Sequence, residues 1–149
     1  MCVIMTIKRI VIHCSATKVT SDYSFEQLEA DHRKRGFSSC GYNLYIRKDG
    51  QVHEGRPFGA VLAHAKGFNK DSIAICYEGG LDANGKAADT RTDQQKQVLL
   101  NSVLYCKSLY PDADLCGHRD LSPDLNGDGK ITKNEWMKDC PCFDVRSEY

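Results

Sequence analysis

The sequence predicts a single α/β domain, in which a central mixed, mainly β sheet is flanked by helices. Two observations carry this. The hydrophobic period alternates between 2 and 3.6 in the order β, α, β, β, β, α, β. Capping boxes and a hairpin turn mark where the elements begin and end. No internal repeat or linker divides the 149 residues, so one domain spans 1–149. A chain of this length buries about 68–70% of its unfolded surface and needs no staples.

Ile7 to Ile12 mixes β-branched residues with Lys8 and Arg9, then meets His13, Ser15 and Thr17, a strand ending in a loop. Ser24 and Gln27 form a capping box, Leu28 continues an apolar stripe and Gly36 supplies a stop, which predicts a helix over Ser24 to Arg35. Gly41 to Ile46 and Gln51 to Glu54 flank Lys48, Asp49 and Gly50, a hairpin signal with Tyr42 at its entry. Ala60 to Asp71 reads as a loop, and Ser72 to Tyr77 as a central strand ended by Gly79 and Gly80. Thr92 and Gln95 cap a helix whose stripe is Leu99, Val103, Cys106 and Tyr110, stopped by Pro111. Asp114 to Cys116 is a last short strand that delivers His118 to its end.

Lys plus Arg equals Asp plus Glu, 20 against 20, so nothing steers the chain to nucleic acid or anionic lipid. Met1 to Ile12 lacks the pattern of a signal peptide, and no apolar run reaches the length of a membrane span. A soluble protein made in the cytoplasm, and a monomer, is expected. The eight cysteines include several inside apolar periodic segments, where a reduced thiol behaves as a small hydrophobe. Reduced thiols or metal ligands are therefore expected before bridges.

Of five histidines, His32 falls in a helix and His53 in a hairpin strand, and neither is given a role. His13 and His118 each follow a strand and open a polar segment, where side chains converge at one end of a sheet. Cys140 precedes Pro141 in a constrained extended segment. A thiolate with two imidazoles suits a catalytic zinc whose fourth position is open. Spacing alone leaves this trio as one choice among several, since no CxxC or HExxH pattern supports it.

Ordered motifs narrow the choice. Val11, Ile12 and His13 with Ser15, Ala16 and Thr17 stand first, followed by Gly41 and Tyr42 ahead of Lys48, Asp49, Gly50, Gly55 and Arg56. Ala63 to Gly67 with Asn69, Ser72 and Ile73 come next. Gly117 to Asp120 with Pro123, then Lys138, Cys140, Pro141, Phe143 and Asp144, complete the series. From about Ile7 to Asp144 the chain resembles the type 2 N-acetylmuramoyl-L-alanine amidases, most closely their phage lysozyme branch.

The resemblance implies a zinc-dependent hydrolase of the amide between N-acetylmuramic acid and L-alanine in peptidoglycan. It maps His13, His118 and Cys140 onto the zinc ligands, Lys138 onto the lysine that stabilises the oxyanion, and Tyr42 onto the tyrosine of proton transfer or water positioning. His64 matches a residue lining the substrate groove. Peptidoglycan or a muropeptide is the implied partner, met at the cell wall after release of the protein or as muropeptides in the cytoplasm. The alternative is a peptidoglycan recognition module without catalysis; such relatives lack the third ligand or the catalytic side chains, all present here. Cys14, next to a ligand on a strand, reads as structural; for Cys142 a disulfide or a bystander thiol both stay open.

One stretch departs from that family. Asp124, Asn126, Asp128, Gly129, Ile131 and Glu135 fit positions 1, 3, 5, 6, 8 and 12 of an EF-hand loop inserted at 124–135, with the Lys130 carbonyl at position 7. The expectation is a calcium ion bracing the segment that delivers Lys138 and Cys140. Pro123 argues against an entering helix.

Overall fold

A computed structural model describes residues 6–149. Cys2 and the start of the Met1–Ile12 segment lie outside the described residues. The elements in chain order are β1 (Arg9–Cys14), β2 (Thr17–Lys18), α1 (Phe25–Lys34), β3 (Leu44–Ile46), β4 (Val52–Glu54), β5 (Ser72–Tyr77), β6 (Gly80–Leu81), α2 (Asp93–Leu109), β7 (Asp114–Gly117) and α3 (Val145–Glu148). Short 3₁₀ turns occupy His118–Leu121 and Lys133–Glu135.

The main sheet runs β4-β3-β5-β1-β7. Only the β3–β4 hairpin is antiparallel; β1 pairs in parallel with β5 and β7, and β3 with β5. Every residue of β5 is buried, as a strand covered by helices on both faces requires. Its alternate side chains divide the interior. Ile73, Ile75 and Tyr77 join Ile10, Ile12 and Cys14 of β1 against Leu99, Val103 and Cys106 of α2. Cys76 joins Leu28, Cys40 and Tyr45 on the α1 side. Ile10 and Ile12 are 0% exposed, and burying each side chain contributes about 1.5–3 kcal/mol.

This alternation positions the site. Successive strand residues face opposite sides, so with Ile12 and Cys14 turned to α2, His13 points to the α1 side at the carboxyl end of β1. In open parallel sheets that end is where ligands bind.

Both helices begin as the sequence predicts: Ser24 caps α1 by accepting the Gln27 N–H, and Thr92 and Gln95 form the capping box of α2. Three predicted boundaries need correction. The first strand continues to Cys14 and does not stop at Ile12, because His13 and Cys14 extend the ladder opposite Cys76 and Tyr77. β3 begins at Leu44 and not at Gly41, since the chain at Gly41 runs so close to Ala63 that a Cβ there would lie 2.1 Å from the Ala63 carbonyl oxygen. Gly80 does not close a strand; it opens β6, which pairs with β2 as a separate two-stranded ribbon.

The segment after residue 139 is tied down at several points. The Tyr77 hydroxyl donates to the Pro141 carbonyl at 2.6 Å. The Arg91 guanidinium lies 3.4 Å from the centre of the Phe143 ring while pairing with Asp89 and Glu148.

Candidate metal centre

His13, 1% exposed, is held on β1. Its neighbour strand β7 ends at Gly117, opposite Ile12, so the next residue, His118, emerges beside it in a 3₁₀ turn. Asp120 fixes that turn by accepting the Gly117 N–H at 2.8 Å. Cys140 arrives from the C-terminal segment. Its carbonyl accepts the Arg119 N–H at 2.8 Å, and its sulfur accepts the Cys14 N–H at 3.2 Å.

The donor atoms of His13, His118 and Cys140 all lie within 4.8 Å of one another, with His13 Nδ1 3.9 Å from Cys140 Sγ. A tetrahedral zinc would hold such donors roughly 3.3–3.8 Å apart, so small side-chain movements complete the shell. Two imidazoles and a thiol are also the donor chemistry zinc prefers. Among the described residues this is the one group of three metal-binding side chains that converges.

Hydrogen bonding sets the histidine tautomers. His64 Nε2 lies 3.3 Å from the Phe68 carbonyl, which can only accept, so that nitrogen carries the proton of a neutral ring. His64 Nδ1 is then a bare acceptor, and it lies 2.9 Å from His13 Nε2. His13 therefore donates from Nε2 and leaves Nδ1 unprotonated, facing Cys140. The neutral rings this requires are the ones burial favours. Desolvation, then the charges of His118, His64 and Lys138, holds His13 well below its ordinary value. Burial lowers His64 to about 4. His118 also falls to about 4, through burial first and the nearby Lys138 charge second.

Tyr42 stands with its ring centre 5.0 Å from that of His13. Burial, followed by the neighbouring thiols, pushes its phenol well above 10, so it stays protonated. Its position depends on His32, whose Nδ1 accepts the Gly41 N–H at 2.9 Å and whose ring lies 5.3 Å from that of Tyr42. The sequence reading gave His32 no role. Its buried placement one turn after Leu28 on α1 was the available signal. His53, also given none, stacks on Phe25 away from the site.

A hollow of about 180 Å³ lies over the trio, with Tyr42, His64 and Lys138 in its walls. It adjoins a more open groove of about 390 Å³ that adds Phe37, Lys66 and Met137. Arg35 lines both. Larger hollows of about 410 and 550 Å³ lie elsewhere, but the convergent donors assign the site to the smaller one. Arg35, Lys66 and Lys138 have no carboxylate partner among the described residues. No Asp or Glu lines either hollow. In a chain of zero formal charge, this wall is locally cationic, a feature composition conceals.

The residues of the expected calcium loop are held by the loop's own hydrogen bonds. Asp124 accepts the Gly127 and Gly129 N–H groups, both at 2.8 Å. Asn126 and Asp128 accept from Asp128 and Lys130. Glu135 accepts from Thr132, Leu125 and Asn126, and these bonds, that of Thr132 foremost, hold its carboxyl below the usual range. Lys130 is exposed. Asp124, Asp128 and Glu135 share one loop but do not converge as a metal-binding group.

Residues 4–142 match the family described as N-acetylmuramoyl-L-alanine amidase. An uncharacterized protein of Haemophilus influenzae is 52% identical over 99 residues, 66% of this chain and 85% of that one. The endolysin of Klebsiella phage KP32 is 36% identical over 138 residues, 93% of this chain and 82% of its own. The solved structure of N-acetylmuramoyl-L-alanine amidase LysC from Clostridium intestinale URNW superposes with a TM-score of 0.72 at 29% identity, covering 97% of this chain and 82% of that one.

Proposed function

The chain belongs to the N-acetylmuramoyl-L-alanine amidase family, and on that premise we propose that it is a zinc hydrolase, cleaving the amide that joins N-acetylmuramic acid to L-alanine in peptidoglycan. The observation that carries the proposal is the bare His13 Nδ1 turned to Cys140 Sγ beside His118. A zinc ion bound there supplies Lewis acidity, polarising a carbonyl and bringing the pKa of a water to about 7.

The chain's own groups do the rest. His64 holds His13 in the tautomer that presents its lone pair to the metal, as outer partners of metal-bound histidines do. Lys138, two residues before Cys140 and in the wall of the hollow, places its ammonium where an oxyanion develops on the scissile carbonyl. Tyr42 keeps its proton and orients the attacking water or serves proton transfer to the leaving amine. Arg35 and Lys66 complement the free carboxylates of a stem peptide in the adjoining groove, where His64 forms one edge.

The proposal extends to a monomer built as one amidase domain over 1–149. Among the described residues no helix is long and apolar enough to cross a membrane. The proposed substrate is the wall polymer after release of the protein, or muropeptides in the cytoplasm. A recognition module without catalysis is the other reading; the presence of Cys140, Tyr42 and Lys138 together in one hollow favours hydrolysis.

Digestion of purified peptidoglycan, with mass analysis of the products, tests the proposal. Intact stem peptides with a free L-alanine amine are expected, and soluble muropeptides assayed in parallel rank the two substrates. Cys140→Ser is expected to bind peptidoglycan without cutting it. Zinc-loaded wild-type protein that binds the wall and releases nothing would establish the recognition module instead. Calcium at 124–135 is a separate proposal supported by the twelve-position spacing alone. Removing calcium with zinc resupplied should lower the melting temperature, and an unchanged melting temperature and activity would retire it.

A further inference from the structure

We propose that Cys14 and Cys142 form a redox-responsive cross-link that braces the metal centre, with Cys140 left free for the metal. The inference does not depend on the hydrolase reading, because it is read out by a linked peptide and a melting temperature, although the pair adjoins the metal hollow that Cys14 helps to line.

Cys14 follows His13 and packs its side chain with the α2 residues, its N–H still meeting the Cys140 sulfur, while Cys142 follows Cys140 by two residues. Their sulfurs lie 3.9 Å apart, and a disulfide needs an approach of about 2 Å more, within reach of side-chain rotation. A gap in the packing permits the pair. Gly80 faces both thiols: a Cβ at that position would lie 2.5 Å from the Cys14 sulfur and 3.6 Å from that of Cys142. The absent side chain is the space the sulfurs occupy.

The backbone also holds the pair in place. The Cys142 N–H donates to the Asp139 carbonyl at 2.7 Å, and its sulfur lies 3.3 Å from the Gly80 carbonyl. Cys142 sits at φ 70°, a left-handed conformation uncommon for a residue with a side chain. The turn from Cys140 to Cys142 sends Cys140 toward His13 and the main chain of Cys14, and Cys142 toward the Cys14 sulfur. Cys40, Cys76, Cys106 and Cys116 are buried with no sulfur partner among the described residues, so they do not compete.

The oxidant is a low-molecular-weight disulfide. The sulfur of Cys142, the more exposed of the two, attacks one sulfur of that disulfide and gives up its proton to the small thiol that departs. Cys14 then attacks the Cys142 sulfur of the mixed disulfide and releases the second. Two protein thiols are oxidised to one disulfide, one small disulfide is reduced to two thiols, and the two protons pass to those thiols. The closed loop spans nearly the whole chain, the case in which a cross-link restricts the unfolded ensemble most.

The zinc-loaded protein is incubated with oxidised glutathione, digested without reduction and analysed by mass spectrometry, with zinc content and melting temperature measured before and after. The expected result is a Cys14–Cys142 linked peptide, Cys140 in no disulfide, zinc retained, and a melting temperature higher by on the order of 10 °C that reverts on reduction. Cys142→Ser, with Cys142→Ala as a second variant, should abolish both the link and the shift. Glutathione remaining on Cys142, a link that captures Cys140 with zinc released, or a Cys14–Cys142 link without a rise in melting temperature would each overturn the proposal.

Discussion

Acid should destabilise the metal-free protein through its buried histidines. His64 and His118 each fall from 6.5 to about 4 on folding, burial being the first cause for both. The unfolded chain therefore binds more protons than the folded one between those values, and stability must fall as pH falls through that window. At pH 5 an unfolded histidine of pKa 6.5 is almost fully protonated while a folded one near 4 is almost fully neutral, a difference of about 2 kcal/mol for each ring. The rings are close enough to titrate together, so the pair contributes less than twice that. His13 shifts in the same direction and adds to the trend. Urea unfolding of the zinc-free protein at about pH 7.5, 6 and 5 reads this directly. The unfolding free energy should drop by roughly 2–4 kcal/mol over the range, and His64→Gln should flatten the slope. A free energy that stays level from neutral pH to pH 5 would refute the neutral-tautomer relay on which the site's chemistry is built.

Further expectations follow from contacts already described. Lys138→Ala should lower kcat by about 10²–10³, the scale seen when an oxyanion-stabilising group is removed, while zinc content by metal analysis stays at that of the wild type. Gly117→Ala would place a Cβ 2.7 Å from Pro141 Cδ and 3.3 Å from Val145. It should cost about 1–3 kcal/mol in denaturant unfolding and weaken zinc retention against a chelator, because the segment bearing Cys140 must shift. Arg35→Ala with Lys66→Ala should raise KM for substrates with free stem-peptide carboxylates and leave KM for their amidated counterparts little changed; equal effects on both would remove the cationic wall from substrate selection.

Much of the frame was legible because it rests on local signals. The two helix starts announce themselves through Ser24 with Gln27 and Thr92 with Gln95, side chains that satisfy backbone N–H groups within one turn. The run from Ser72 to Tyr77 could hardly be anything but a central strand. The trio His13, His118 and Cys140 was another matter. Its members lie far apart in the chain, and only motifs in a familiar order singled them out; the parallel pairing that sets His118 beside His13 carries no short-range signature. His32, Arg35 and the contact of Cys14 with Cys142 were hidden for the same reason, each depending on a partner brought in by tertiary packing. The 124–135 loop is a different case. Its linear pattern alone predicts an ion, and its carboxylates accept the loop's own N–H groups while keeping further lone pairs.

The relay from Phe68 through His64 to His13 ends on a main-chain carbonyl. A carbonyl of the backbone is the same whatever side chain it belongs to, so evolution is free to exchange the residue at position 68 so long as the loop keeps its path. Position 64 has less freedom, since it must accept a proton on one atom and offer one from another, which only imidazole and the side-chain amides do at such spacing. Two neighbours in one loop thus live under different rules: one contributes geometry that any sequence can supply, the other a chemical grammar with few valid words.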